Sequence, residues 1–211
     1  MIIIYIYIMN NNELKIIFKA YNNGLEMLNS RGYKTDELIN PSIEIFNKRL
    51  ENDILDKITG ENQDCYLLIM KQHKITKKDF LSKLDNIIEN DKTDDFLLIV
   101  LTFDKHLNSF IKLIKNKYSK DIQIFLISEL QMNVLKHELQ PLFILLNDDE
   151  KVELLDKYDI KPEQLPLMKI NDPVAKYFNA KIGDVFKIIR KNMVGRNRTS
   201  GQGIYYRIVS E

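Results

Sequence analysis

The sequence predicts two domains: an α/β domain built around a small sheet, followed by a smaller α+β domain. From residue 12 to residue 127, strand-like and helical patterns alternate, which is typical of an α/β layer. A mixed connector, 128–141, interrupts this alternation. After it come a short strand, helices, a proline-bearing loop and two late strands. We therefore place the two domains at 1–133 and 134–211.

The first domain opens with an amphipathic helix. From Asn12, apolar residues recur at spacings of three and four until Gly32 ends the pattern. Pro41 then permits a second helix, and the polar residues around Gly60 follow it as a loop. The later elements are predicted as strands over 65–70, 96–103 and 122–127, and as helices over 77–89 and 107–117.

The second domain begins with the strand LFILL and carries two signals for helix starts. Asn147 opens a capping box with the glutamate three residues later. Asp172 followed by Pro173 is the other start, because the carboxylate accepts from free amides and the proline ring fixes the first helical φ. Val174 and Tyr177 are predicted to face inward in this helix.

Two strands joined by a basic loop end the chain. Gly183 and Asp184 turn the chain into VFKIIRK, where apolar and cationic residues alternate loosely, as in a strand with one face toward solvent or a partner. The segment GIYYRIV is its predicted partner strand. The glycine-bearing basic loop NMVGRNRTSGQ lies between them, and its arginines either contact phosphate or are simply solvated.

Composition bounds the class of protein. The chain has 211 residues, of which 45% are hydrophobic and 29% are charged, so it can bury a real core. Its net charge of +1 creates no global basic field. Any nucleic-acid contact must therefore come from a local patch or from partner subunits, and we expect weak affinity for bare DNA.

The first nine residues, MIIIYIYIM, are the one candidate for a targeting segment. They lack a basic leading region and a small-residue cleavage site, and a membrane span needs roughly 20 apolar residues. We expect neither a signal peptide nor a membrane anchor. Their alternation is strand-like, so either they join a sheet or translation begins at Met9; both interpretations stay open.

Catalytic and metal-binding patterns do not emerge from the sequence. The single cysteine, Cys65, opens an apolar run and is expected to be a buried, inert thiol. Three histidines lie far apart without metal-ligand spacing, paired aspartates sit at element ends, and the late glycines match no phosphate-binding motif. A nuclease needs an Asp and a (D/E)-x-K on adjacent strands, which CYLLIM and FLLIVLTF do not offer. We predict no catalytic residue, metal or cofactor. The residues considered are His73, His106, His137, Asp94, Asp95, Asp148, Asp149, Gly195, Gly201 and Gly203.

Several blocks resemble a known family. HELQP, LLNDDEKVELLDKY, EQLPLMKINDPVAKYFNAKIGDVFKIIRK and YYRIV resemble the fifth subunit shared by eukaryotic nuclear RNA polymerases, whose C-terminal domain corresponds to a small, separate subunit of the archaeal enzyme. IFKAYNNGLEMLNSRGYKTDEL is similar to the first helix and the following turn of the eukaryotic form. The resemblance spans about 13–209 and is strongest after residue 135.

The resemblance implies a non-catalytic polymerase subunit without cofactors. Its N-terminal domain has a restriction-endonuclease-like fold without the active site and forms part of the lower jaw, in weak contact with downstream duplex DNA. Its C-terminal domain anchors on the largest subunit, among other polymerase subunits and away from any membrane. The implied DNA-proximal residues are Lys105, His106, Asn108 and Ser109. The implied partner-binding residues are His137, Pro141, Asp172, Pro173, Val174, Tyr177, Gly183, Lys187, Arg190 and Arg207.

Two positions depart from the family pattern. Phe143 stands where the family often carries a second histidine, and the loop NMVGRNRTSGQG is longer than the compact hairpin S-E-T-x-G-R of the family. A stand-alone DNA-binding regulatory module is the alternative function, and a nuclease is a more distant one. The chain is expected in the nucleus if it is cellular, or in the virion or cytoplasmic factory of a large DNA virus.

Overall fold

The computed structural model describes residues 11–39, 41–50, 53–60, 63–90, 96–107, 121–191 and 202–211. The chain divides into two compact units, Met1–Met132 and Asn133–Glu211. Each unit contains one four-stranded sheet, so the mixed α/β character predicted from the sequence is confirmed.

The sheet of the first unit has the strand order β1-β2-β3-β4. β1 is antiparallel to β2, whereas β2, β3 and β4 are parallel to one another. The predicted first helix, the helix after Pro41, the helix near 77–89 and the three predicted strands are confirmed. The predicted helix over 107–117 lies outside the described residues, apart from its first residue. The elements are α1 Asn11–Ser30, α2 Ile43–Leu50, β1 Ile54–Ile58, β2 Asp64–Met70, α3 Lys77–Asn90, β3 Phe96–Thr102 and β4 Asp121–Leu126.

β1 lies in a region where the sequence predicts no strand. Its sequence ILDKI alternates buried and exposed positions, but the central buried position is held by Asp56. The Tyr21 hydroxyl donates to Asp56 Oδ2 at 2.7 Å, and Arg49 forms an ion pair with the same carboxylate. Because Asp56 is polar, the sequence lacks the regular alternation of apolar and polar residues that would predict a strand. The buried carboxylate is tolerated because it is ion-paired and hydrogen-bonded.

Both faces of this sheet are covered. The side chains of Phe80, Leu84 and Ile87 from α3 pack with alternate residues of β2 and β3 on one face. On the other face, α1 passes so close that a Cβ at Gly24 would lie 3.8 Å from the Leu101 side chain. Burial on both faces explains why β3 is apolar throughout, as parallel strands usually are.

The sheet of the second unit has the strand order β5-β7-β8-β6. β7 is antiparallel to both β5 and β8, and the short β6 is parallel to β8. The predicted strands are confirmed; β6, three residues directly after Pro166, corrects a region predicted as loop. The elements are β5 Leu142–Leu145, α4 Asp148–Tyr158, β6 Leu167–Lys169, α5 Pro173–Phe178, β7 Val185–Lys191 and β8 Gln202–Ser210, with 3₁₀ turns at Val134–Lys136 and Pro162–Gln164.

Both helices of the second unit begin where the sequence predicts. Asn147 and Glu150 form the reciprocal capping box of α4, with N···O distances of 2.8 and 2.9 Å. At α5, Asp172 Oδ1 accepts from the Val174 amide at 2.9 Å, and Pro173 occupies the first turn. A side-chain cap of this kind contributes about 1 kcal/mol to helix stability.

Candidate assembly surface and nucleic-acid interface

The turn before β7 is hydrogen-bonded to the end of β8. Gly183 has a φ of 94°, in the left-handed region that favours glycine. Its amide donates to the Val209 carbonyl at 2.9 Å, and the Val209 amide donates to the Asp184 carbonyl at 2.8 Å. Asp184 Oδ2 also accepts from the Lys181 amide at 2.7 Å. The turn therefore fixes where β7 enters the sheet.

Register separates the predicted cationic contact residues onto opposite faces of the second sheet. Phe186 pairs with Arg207, and Lys187 pairs with Tyr206 on the other face. Because side chains alternate along a strand, Arg190 shares the face of Phe186 and Arg207, whereas Lys187 lies on the opposite one. The Arg190 guanidinium is 5.4 Å from the centre of the Tyr205 ring on its own face. The three cations therefore do not form one cluster.

The predicted contact residues in α5 are mostly core residues. Val174 and Tyr177 are nearly fully buried, and Val174 packs in the cluster around Phe186. Their burial leaves little side-chain surface for a partner, so we correct their role to packing. Asp172 stabilises the same helix as its cap, and Pro173 is exposed in its first turn.

The connector before β5 contains the other two predicted contact residues. His137 is exposed, and its Nδ1 accepts from the Leu139 amide at 3.2 Å. Pro141 is half-buried directly before β5. Phe143, at the position where the family often has histidine, packs edge-on against Phe186 at 6.1 Å between ring centres. Phe143 is therefore a partly buried aromatic that packs against the core of this unit.

In the first unit, a buried carboxylate organises the turn after β3. Asp104 is 5% exposed, and its two oxygens accept from the Ile75 and His106 amides, each at 2.9 Å. Burial alone would raise the pKa of Asp104, but these amide donors and the nearby cations outweigh it and hold the pKa below its ordinary value. The role of Asp104 is not predictable from the sequence, since a lone Asp after a strand carries no distinctive pattern.

The contact between Asp104 and Ile75 joins two loops at one edge of the sheet. The carboxyl ends of parallel strands meet at the same edge, so the loop after β2 lies beside the turn after β3. Lys105 and His106 are exposed in that turn, whereas Asn108 and Ser109 lie outside the described residues. His73 from the neighbouring loop stacks on Phe103 with ring centres 4.6 Å apart.

This edge carries a group of exposed lysines, which we call the cationic edge: Lys74, Lys77, Lys78 and Lys105. Three of them precede or begin α3, where the positive end of the helix dipole disfavours cations and favours an anion. The sequence signal was available, since KQHKITKK places four lysines within eight residues. That this run and Lys105 lie at the same edge of the sheet follows only from the parallel arrangement of β2 and β3, and not from the sequence.

Metal-ligand clusters and membrane-spanning helices are both absent from the described residues. No group of three or more His, Cys, Asp and Glu side chains in them is arranged to hold a metal ion. No helix among them is long and apolar enough to cross a membrane. Cys65 is fully buried, as predicted, and burial raises the pKa of its thiol to about 12.

Comparison with known proteins identifies the family. The sequence model of the RNA polymerase Rpb5 C-terminal domain matches residues 132–209. An Arabidopsis thaliana protein, DNA-directed RNA polymerases IV and V subunit 5B, is 30% identical over 202 residues, covering 88% of this chain and 86% of that protein. DNA-directed RNA polymerase subunit 5 of Acanthamoeba polyphaga mimivirus is 28% identical over 205 residues, covering 95% and 93%.

These relatives place the chain among the structural subunits of multisubunit DNA-directed RNA polymerases. The chain belongs to the family of the fifth polymerase subunit. A Caenorhabditis elegans relative is 42% identical over 88 residues, which cover 42% of this chain and 39% of that protein. The resemblance predicted from the sequence blocks is confirmed, and the stand-alone regulatory module gains no support.

Proposed function

We propose that the second unit anchors this subunit to the largest subunit of its polymerase, and that the first unit forms part of the lower jaw beside downstream DNA. The observation that carries the proposal is similarity to polymerase fifth subunits along nearly the whole chain, together with the match of residues 132–209 to the Rpb5 C-terminal domain. The subunit contributes no catalytic group, and its first unit has a restriction-endonuclease-like fold without an active site. It resides wherever its polymerase works, in the nucleus or in a viral factory.

The anchoring role is tested by purifying a tagged full-length chain from its native source. We expect the largest polymerase subunit and the other polymerase subunits to co-purify in fixed proportion, as identified by mass spectrometry. The isolated chain should bind duplex DNA weakly, because its net charge is near zero. A chain that purifies alone and binds DNA tightly with a steep salt dependence would instead be a stand-alone regulatory module.

The cationic edge is the part of the first unit best suited to face DNA. Lysines on two loops that Asp104 joins give a local concentration of positive charge that the near-neutral composition hides. Phosphate contacts of this kind position a protein on the duplex without reading its sequence. We therefore propose a nonspecific contact with the downstream duplex, centred on Lys105.

Lys105→Glu tests this contact in the assembled enzyme. We expect elongation complexes to dissociate faster. The slope of log affinity against log salt concentration should become shallower by about 0.9, the value for one phosphate contact. The chemistry of nucleotide addition and the sequence preference should be unchanged, because catalysis belongs to the large subunits.

The matched control is Lys34→Glu. Lys34 is exposed in the same unit, and its amide donates to the Thr59 carbonyl at the end of β1, at the opposite edge of the sheet. A photo-crosslinker at position 105 should reach downstream DNA. Crosslinks from position 105 to protein alone, or equal effects of the two substitutions, would contradict the jaw contact.

A further inference from the structure

One face of the second sheet carries a row of aliphatic side chains that are exposed or, at Ile189, half-buried. Leu142 pairs with Ile189, and Ile189 pairs with Ile204, so the three residues lie side by side across β5, β7 and β8. Leu142 is 59% exposed and Ile204 is 52% exposed. We call these three residues, with the neighbouring Ile144, the aliphatic row.

The opposite face is packed around Phe186, and its exposed side chains, Arg190, Tyr205 and Arg207, are not aliphatic. Phe186 and Ile188 point to that other face and are buried in a cluster that includes residues of α5. On the side of the aliphatic row, α4 covers only the end of the sheet near Val185 and Ile208, through Leu154. The rest of this face remains open in the part of the chain that the structure describes.

An open, contiguous aliphatic surface indicates an interaction site. Single exposed apolar side chains are common, but neighbouring ones on a flat sheet face offer a partner a continuous area to bury. Four aliphatic residues placed in register on adjacent strands meet this condition. Two residues of the row belong to β5, which is an edge strand of the sheet, so one end of the row reaches the edge of the sheet.

The charge on this face indicates the chemistry of the occupant. Lys187 pairs in register with Ile144 on one side and Tyr206 on the other, which places its half-buried stem within the aliphatic surface. It forms no ion pair with any carboxylate of the described residues. The sequences of β5 to β8 contain no Asp or Glu, and Lys169 of β6 adds a second cation to this face.

We infer that the aliphatic row and Lys187 dock an apolar segment of another polymerase subunit that carries a carboxylate opposite Lys187. Burying the row removes apolar surface from water, and the carboxylate pairs the ammonium group that this burial would otherwise leave desolvated and unpaired. The inference rests on the proposed role of the second unit as the anchor. It adds the face that is used and the chemistry of the segment that it receives.

A second copy of the chain fits this face poorly. Two-fold pairing of the face with itself would bring a cationic, carboxylate-free sheet against the same sheet, so Lys187 and Lys169 would meet only like charges from the partner strands. An acidic segment has the opposite, complementary charge. This contrast makes a different subunit the occupant.

The experiment uses the full-length chain in the assembled polymerase, with a photo-crosslinking amino acid at position 204 or at position 205. The two positions are adjacent in β8 and almost equally exposed, but they point to opposite faces. We expect position 204 to crosslink at least fivefold more efficiently, to an apolar segment of another subunit containing Asp or Glu. Equal or stronger crosslinking from position 205, or crosslinks from position 204 only to a second copy, would overturn the inference.

Substitutions on the same face provide a second readout. Lys187→Glu should lower incorporation into the polymerase about tenfold, whereas Lys187→Arg should leave it near wild type. Ile204→Ser should reduce incorporation severalfold and the control Tyr205→Ser should not. All four replace exposed or half-buried side chains, so thermal unfolding of the isolated chains should show that they fold.

Rescue of Lys187→Glu by changing the crosslinked carboxylate to Lys would identify the pair directly. The outcomes separate the two proposals. If the wild-type chain does not co-purify with polymerase subunits, the proposed function fails. If the wild type co-purifies and Lys187→Glu and Ile204→Ser are incorporated equally well, the anchor lies elsewhere on the subunit and only this inference fails.

Discussion

Phe186→Ala should destabilise the second unit by about 4 kcal/mol, the range observed when a buried aromatic residue is truncated. Phe186 is fully buried in the centre of the sheet and packs edge-on against Phe143 and Phe178, with ring centres 6.1 and 5.4 Å away. Neither ring can fill the space without leaving its own packing. Since a small domain has only about 5–10 kcal/mol of stability in total, incorporation into the polymerase should also fall sharply at 37 °C.

Denaturant unfolding of the full-length chain measures this loss, with Phe186→Leu as the control that keeps an apolar side chain at the site. The leucine variant should lose no more than about half as much stability. Equal midpoints for wild type and Phe186→Ala would show that the cluster around Phe186 is not the core of this unit.

Asp104→Ala should destabilise the first unit by about 3 kcal/mol, because the amides of Ile75 and His106 lose their acceptor inside the protein. The two joined loops should loosen together, and contacts made by the cationic edge should weaken with them. Faster hydrogen exchange at both amides would report this directly. Unchanged exchange at Ile75 would contradict the role of Asp104 as the tie between the loops.

The contribution of Asp104 should also depend on pH. Its pKa is lower in the folded than in the unfolded chain, so its stabilising effect is fully present above the unfolded pKa of about 3.9 and is lost as the pH falls through the folded value. The difference in unfolding free energy between wild type and Asp104→Asn should therefore shrink from pH 7 to about pH 3. Asp36→Asn, at an exposed position in the same unit, is the control substitution.

Periodicity predicted the elements whose apolar residues follow one regular spacing. α1 has a helical stripe, and β2 and β3 are apolar runs buried on both faces, so local sequence was sufficient. It failed for β1, where the inward Asp56 depends on partners from α1 and α2 that are distant in sequence. It failed for β6 because three residues after a proline carry too little pattern.

The candidate surfaces were harder to predict than the fold. Motif blocks identified α5 and β7 as important, but they could not separate core residues such as Tyr177 from exposed ones such as Arg190. The cationic edge depends on which strands are parallel, since that brings Lys74 and Lys105 to one edge. The aliphatic row depends on register, because Leu142 and Ile204 are far apart in sequence and become neighbours only through Ile189.

The burial of Cys65 makes this subunit well suited to site-specific labelling. It is the single cysteine of the sequence, its side chain is fully buried, and burial raises the pKa of its thiol, which disfavours the reactive thiolate. A new cysteine at an exposed position, such as Lys105→Cys or Ile204→Cys, would be modified selectively without removing the native one. A fluorophore or spin label at one of these positions could then report on the first or the second unit while the polymerase moves along its template.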